Sequence, residues 1–242
     1  MVGIGPGDQA HLSHGATEEL ASAGVIVGYR TYLQLLKEIL PTGGQLIEGS
    51  GMRQEVERAR LAVAHALAGR RVAVVSSGDA GVYGMAGLVL EVLLGTGRQS
   101  EVDFRVVPGI TAASAAAALL GAPLMHDFAV ISLSDLLTPW EVIKRRIEAA
   151  AWGDFVVVFY NPKSRRRVTQ IEEAREVLLR HRKPDTPVGV VTGAGRSGQQ
   201  VVLSDLERFL EAEIDMQSVV LVGNSQSYIR DGFMVTPRGY RI

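Results

Sequence analysis

Four glycine-rich turns, each directly after a short apolar run, constrain this 242-residue chain more than any other feature. They are Gly3-Ile4-Gly5-Pro6-Gly7-Asp8, Ser77-Gly78-Asp79-Ala80-Gly81-Val82-Tyr83-Gly84, Pro108-Gly109-Ile110-Thr111-Ala112-Ala113 and Thr192-Gly193-Ala194-Gly195-Arg196. Glycine lets a backbone approach a ligand or another backbone closely and admits positive φ. Ligands of open α/β sheets bind beyond the carboxyl ends of the strands. Four such turns at strand ends exceed what chain reversal alone requires. The pattern predicts an α/β fold with a ligand site assembled from loops.

The segments between the turns agree. Val25-Ile26-Val27, Val72-Ala73-Val74-Val75 and residues 104–107 read as buried parallel strands. Residues 54–67 and 85–94 read as helices, closed by Gly69 and Gly95. The second half continues with strands at 129–133, 155–160, 188–192, 201–202 and 219–222, and helices from Pro139 to about Ala151 and over 171–179. Thr138-Pro139-Trp140-Glu141 predicts a capping Thr with Pro at the first helical position, and Ser204-Asp205-Leu206-Glu207 predicts a second capping box. An Ala-rich helix over 111–120 is followed by Gly121-Ala122-Pro123, where a break is expected. The expectation is two α/β lobes with mainly parallel sheets, residues 1–121 and 122–242, and a site in the cleft between them.

Composition narrows the function. Hydrophobic residues make up 47% and charged residues 21%, which supports a packed core. The 25 basic and 26 acidic side chains nearly cancel, so nucleic acid is not an expected partner. The absence of cysteine excludes a disulfide scaffold, a thiolate metal site and a Cys nucleophile. No targeting segment is visible, and no apolar stretch approaches the roughly 20 residues that span a bilayer. A soluble cytoplasmic protein without membrane partners is expected. The first turn is not a dinucleotide fingerprint: its spacing is G-x-G-x-G, and Gly28 and Tyr29 stand where an acidic residue belongs. No G-x-x-x-x-G-K-[ST] loop occurs either.

The four turns, in this order, resemble those of the tetrapyrrole (corrin/porphyrin) methylases, and the resemblance covers nearly the whole chain. Leu124-Met125-His126-Asp127-Phe128, residues 132–140 and Tyr160-Asn161-Pro162-Lys163-Ser164-Arg165-Arg166 are similar to the precorrin-3B C17-methyltransferase branch. Only Met1 and Val2 precede Gly3, where family members usually carry a longer first strand; either that strand is short or the true start lies upstream. The resemblance implies S-adenosylmethionine (SAM) as cofactor and precorrin-3B or cobalt-precorrin-3 as substrate. It also implies methylation at carbon 17 with contraction of the macrocycle, and a homodimer. SAM carries its own electrophilic methyl, so the protein needs neither metal nor covalent residue, and no metal site is expected.

Gly5, Pro6, Gly78, Asp79, Ala80, Gly81, Val82, Thr111 and Ala112 are the implied cofactor contacts, with Tyr160, Asn161, Val190 and Thr192 from the second half. For Asp79 the alternative is a turn that bonds its own backbone, and Thr111 is also a helix cap. Lys163, Arg165 and Arg166 are candidates for the substrate carboxylates, which arginine grips in paired hydrogen bonds. Their alternative is a solvated helix start, against which a cationic helix N-terminus argues. Arg53, Ser132 and Ser134 are further substrate candidates. His126 and Asp127 are candidates for acid–base help. Two other functions stay open: a methyltransferase of the same fold with another substrate, or a binding module that retains the fold without turnover.

Overall fold

In the computed structural model, which describes residues 1–39 and 43–241, the β-branched runs of the first half become parallel strands. Strands β1 (Val2–Gly3), β2 (Val25–Tyr29), β3 (Leu46–Ser50) and β4 (Val72–Ser76) form a sheet in the order β1-β4-β2-β3. Every pairing in it is parallel. Parallel neighbours need crossovers, and α1 (His14–Ser22), α2 (Arg30–Ile39) and α3 (Glu55–Leu67) supply them, with α4 (Ala86–Gly95) following β4.

Alternation along the strands divides the core. Val25, Val27 and Val74 pack with Ala59, Ala62 and Val63 of α3 and Val89 and Leu93 of α4. Ile26, Ala73 and Val75 pack with Ala16 and Leu20 of α1 and Leu33 and Leu36 of α2. Both faces are covered, which is why these strands read as continuous apolar runs. Gly87, on the exposed side of α4, has nothing within 4 Å of the place its Cβ would occupy. Gly87→Ala is therefore expected to raise stability by about 0.5–1 kcal/mol, seen as a higher urea midpoint.

The chain divides into two compact units, Met1–Ala112 and Ala113–Ile242. The division falls nine residues before the sequence expectation, so the Ala-rich helix α5 (Ala112–Leu120) belongs almost wholly to the second unit. That unit continues with β5 (Gly121–Ala122), β6 (Phe128–Ser132), α6 (Trp140–Trp152), β7 (Val156–Tyr160) and α7 (Gln170–Leu179). It ends with β8 (Pro187–Thr192), β9 (Gln200–Asp205), β10 (Ser218–Val222), β11 (Tyr228–Arg230) and β12 (Phe233–Val235).

Its five-stranded sheet runs β6-β7-β10-β8-β9. Strands β6 and β7 are parallel, while β10 enters antiparallel to both β7 and β8, and β8 pairs antiparallel with β9. The short link 193–199 suffices for an antiparallel pair and could not carry a parallel crossover. Ile143 and Ile147 of α6 and Ile171, Ala174, Val177 and Leu178 of α7 cover one face, against Val157, Phe159, Val188 and Val220. Leu120 of α5 packs at Gly189, where a Cβ would lie 2.4 Å from its Cδ1. A small sheet of β11, β12 and β5 completes the unit.

Four local expectations are corrected. Residues 104–107 are not a strand; Val107 makes a single bridge to Val2 at the sheet edge. The Ser204–Glu207 box opens no helix, because Gln200–Asp205 pairs along the whole length of β8, and that ladder outweighs a local cap. Pro139, not Thr138, is the N-cap of α6, and it makes no side-chain cap bond. Gly95 lies inside α4, and Gly97, at φ +68°, takes the left-handed position after it.

Candidate functional site

The first three glycine turns meet beyond the carboxyl end of the parallel sheet and pack backbone against backbone. The Gly5 N–H donates to the Gly78 carbonyl at 3.1 Å, and the Gly78 N–H donates to the Gly5 carbonyl at 2.7 Å. Both glycines have positive φ, +69° and +68°. The Gly3 N–H donates to the Val107 carbonyl at 3.0 Å, which brings the third turn against the first. A Cβ at Gly109 would lie 2.2 Å from the Gly78 carbonyl oxygen and 2.8 Å from the Gly3 carbonyl carbon. A Cβ at Gly3 would lie 2.7 Å from the Gly109 nitrogen. These glycines are required by approach of chain to chain.

Asp79 is the polar centre of this arrangement. Its Oδ1 accepts from the Gly81 N–H at 2.7 Å and the Val82 N–H at 3.1 Å, and its Oδ2 accepts from the Gly109 N–H at 3.0 Å. One carboxylate thus closes its own turn and ties the second turn to the third. Beyond it Gly81, Val82, Tyr83 and Gly84 are exposed, with Tyr83 at φ +52°. Pro6 and Ala80 are buried, while Thr111 and Ala112 are half-buried at the end of the unit.

A second cluster lies at the carboxyl ends of β6 and β7, where Ser132 is in register with Tyr160. The Tyr160 hydroxyl accepts from the Ala113 N–H at 2.6 Å, satisfying one of the donors that a helix start leaves without an intrahelical partner. Asn161 has φ +51°, and its Nδ2 donates to Ser132 Oγ at 3.0 Å. The Ser134 N–H donates to the same oxygen at 3.2 Å. Two residues read as cofactor contacts and two read as substrate contacts therefore form one group.

The basic run lies in the loop before α7 and not at a helix start, so the helix-dipole argument falls away. Lys163 is half-buried, and Arg165 and Arg166 are exposed. Arg167, the fourth cation of the run weighed for the substrate carboxylates, is buried. Among the described residues none of these four cations joins an ion pair within 4.0 Å. Burial holds the Arg167 guanidinium below the usual arginine range, with Asp135 pulling the other way.

Other candidates stand apart from these clusters. Arg53 is exposed after β3 at φ +65°, its N–H donating to Glu55 Oε1 at 3.2 Å. Thr192 Oγ1 bonds Ser218 Oγ at 2.7 Å, and the fourth glycine turn closes the β8–β9 hairpin, with the Gly195 N–H donating to Gln199 Oε1 at 2.8 Å. Val190 has its side chain in the core of the second unit. His126 and Asp127 are both exposed, and the His126 Nδ1 accepts from the Asp127 backbone N–H at 2.9 Å. The Asp127 carboxylate takes no part in that bond, so the two side chains do not form a proton-sharing pair.

Sequence reasoning also passed over Arg58 on α3. It is buried, donating from Nε to Ser50 Oγ at 2.6 Å and from Nη2 to the Gly51 carbonyl at 2.9 Å. Its Nη1 meets Met85 Sδ at 3.3 Å, beside the second turn. Its place one turn before Ala62, on the buried stripe of α3, was the available signal. Among the described residues no group of three or more His, Cys, Asp or Glu gathers to hold a metal ion, and no helix is long and apolar enough to cross a membrane.

Glycine turns lock together beyond a parallel sheet, with a carboxylate fixing their spacing, at the end of the strands where open α/β sheets hold their ligands. The profile of the tetrapyrrole (corrin/porphyrin) methylases matches residues 1–209, and the chain belongs to that family of methyltransferases. A cobalt-factor III methyltransferase of Priestia megaterium is 53% identical over the whole chain, which spans 45% of that relative's length. A probable cobalt-factor III C(17)-methyltransferase of Salmonella typhimurium is 50% identical across 100% of this chain and 99% of its own. Among solved structures, the methyltransferase CobJ superposes with a TM-score of 0.90 at 38% identity, covering 98% of each chain. A uroporphyrin-III C-methyltransferase from Thermus thermophilus, complexed with S-adenosylhomocysteine, superposes with a TM-score of 0.67 at 26% identity over 92% of this chain and 95% of its own.

Proposed function

We propose that this chain is a SAM-dependent methyltransferase of cobalamin biosynthesis that methylates carbon 17 of cobalt-factor III. The interlocked turns carry the cofactor half of this reading. The Salmonella relative, matched over nearly its full length, supports the substrate half. Both relatives' names specify a cobalt-containing substrate, which favours it over metal-free precorrin-3B.

The residues fit the cofactor. SAM joins a flat aromatic adenine to a charged amino-acid tail, and the second turn offers exposed Val82 and Tyr83 beside closely spaced backbone groups. When bound, SAM supplies an electrophilic methyl group on a sulfonium. The protein's work is alignment, because a nucleophilic carbon held in line at near-attack distance needs no further activation by a covalent residue. Asp79 holds the second turn in shape through its three backbone bonds. Gly5, Gly78 and Gly109 set the distance between the loops, and Thr111 and Ala112 follow directly in the third turn. Ser132, Ser134 and Asn161 offer a polar wall, and Lys163, Arg165, Arg166 and Arg53 are cations for the macrocycle's carboxylates. Tyr160 fixes the start of α5. A cytoplasmic homodimer completes the reading.

The test incubates the purified chain with SAM and cobalt-factor III and follows product mass. One added methyl is expected, with S-adenosylhomocysteine binding by calorimetry, and the product's absorption spectrum reports whether the ring has contracted. A protein that binds no S-adenosylhomocysteine overturns the cofactor assignment. Methyl gain only on a different tetrapyrrole overturns the substrate assignment.

A further inference from the structure

Residues 155–171 contain no acidic side chain, yet hold Lys163, Arg165, Arg166 and Arg167. Four cations so close repel one another, and an open loop would let them spread. The structure folds the loop back on itself. The Arg167 Nη2 donates to the Asn161 carbonyl at 2.7 Å, the Arg167 backbone N–H donates to Ser164 Oγ at 3.1 Å, and the Ser164 N–H donates to the Arg167 carbonyl at 2.8 Å. These bonds make residues 161–167 a closed ring seated on the end of β7. Asn161, the left-handed residue at its foot, reaches on to Ser132.

Arg167 is an unusual choice for such a closure. It is 6% exposed, the acid that acts on it, Asp135, accepts from Gln170 Nε2 at 2.9 Å, and its own Nε–H is buried without an acceptor. Its remaining contact is the soft Met216 sulfur at 3.7 Å. A buried cation with neutral partners weakens a fold more than it strengthens it. Arg182 offers the contrast. It is also buried, but donates to the backbone carbonyls of Phe155, Val222 and Gly223 and so ties β7 to β10. Arg167 makes no such tie between strands.

We infer that Arg167 is a positioning residue that closes the 161–167 loop into a rigid clamp, presenting Lys163, Arg165 and Arg166 together to a polycarboxylated macrocycle. The inference rests on the substrate class proposed above. A clamp formed in advance loses less freedom on binding than one that must assemble around its ligand. Its removal should therefore be read in substrate affinity, while the glycine turns of the first unit keep their cofactor.

Arg167→Gln and Ser164→Ala break different bonds of the same ring, so one reports if the other folds poorly. Binding of uroporphyrin, a commercially available octacarboxylate, is read by fluorescence quenching, and S-adenosylhomocysteine binding by calorimetry. Each variant is expected to weaken uroporphyrin binding on the order of tenfold, with the cofactor constant within about twofold of wild type. The KM for the methyl acceptor should rise in parallel, and Arg167→Lys should recover part of the loss by donating to the Asn161 carbonyl. Variants that match wild type in uroporphyrin affinity overturn the inference alone. Variants that lose cofactor and uroporphyrin binding equally also overturn it, because the role is then general support of the fold. A wild-type chain that binds no polycarboxylated tetrapyrrole overturns the substrate reading itself.

Discussion

Gly109→Ala is expected to abolish cofactor binding and to unsettle the first unit. The added Cβ would stand 2.2 Å from the Gly78 carbonyl oxygen and 2.8 Å from the Gly3 carbonyl carbon, and neither is the movable end of a side chain. Relief requires the third turn to withdraw from the other two, which breaks the Gly109–Asp79 bond and strains the hydrogen bond from Gly3 to the Val107 carbonyl. Overpacking of this kind costs about 3 kcal/mol or more when backbone must shift. A displacement of about 1 Å in a site built on alignment lowers function roughly a hundredfold. Thermal unfolding and calorimetry with S-adenosylhomocysteine read the two effects. Gly87→Ala is the paired control, since the same chemical change there meets no neighbour. A Gly109→Ala protein that binds cofactor like wild type would show that the turns do not need their present spacing.

Asp79→Asn carries the second large effect and decides between two roles for the side chain. The carboxylate accepts three backbone N–H groups. The amide that replaces it keeps one oxygen, and its NH2 group must face at least one donor. We expect about 2 kcal/mol of lost stability, because the carboxylate's bonds are charge-assisted but half exposed. Cofactor affinity should fall by roughly tenfold to a hundredfold as the second turn loosens. The informative comparison is between SAM, which carries a sulfonium charge, and S-adenosylhomocysteine, which does not. Because both carboxylate oxygens already serve the backbone, the two affinities should fall by the same factor. A loss several times larger for SAM would instead place Asp79 opposite the sulfonium.

The strands and glycine turns were legible because each announces itself locally. Val72–Ser76, Val156–Tyr160 and Ser218–Val222 are β-branched runs long enough to read unaided, and the turns follow them directly. Leu46–Ser50 escaped notice because Glu48, Gly49 and Ser50 interrupt its apolar character. Residues 104–107 read as a strand but could pair only with β1, which is two residues long before the chain bends toward Gly78. The bonds of Asp79 within its own turn are legible in the sequence, while its reach to Gly109 is not, since the two stand 30 residues apart. Arg167 looked like its neighbours in the basic run. Only burial distinguishes it, and burial of one arginine among four depends on how the loop closes.

The hydrogen bond from Gly3 to the Val107 carbonyl also bears on how the three turns come together. Its partners sit near opposite ends of the first unit's sequence, so joining them closes one of the longest loops that unit contains. Such contacts carry a high entropic cost before they return any stabilisation, and they form late. Strands β2, β3 and β4 can pair while the chain is still emerging from the ribosome, and the first turn can then bond to the second through Gly5 and Gly78, but the set of three turns is complete only once the third has been made. The sheet therefore exists before the binding site does. On the cofactor assignment proposed above, binding during synthesis would report that the whole first unit has been completed, and a chain halted short of Val107 would hold a sheet without the assembled turns.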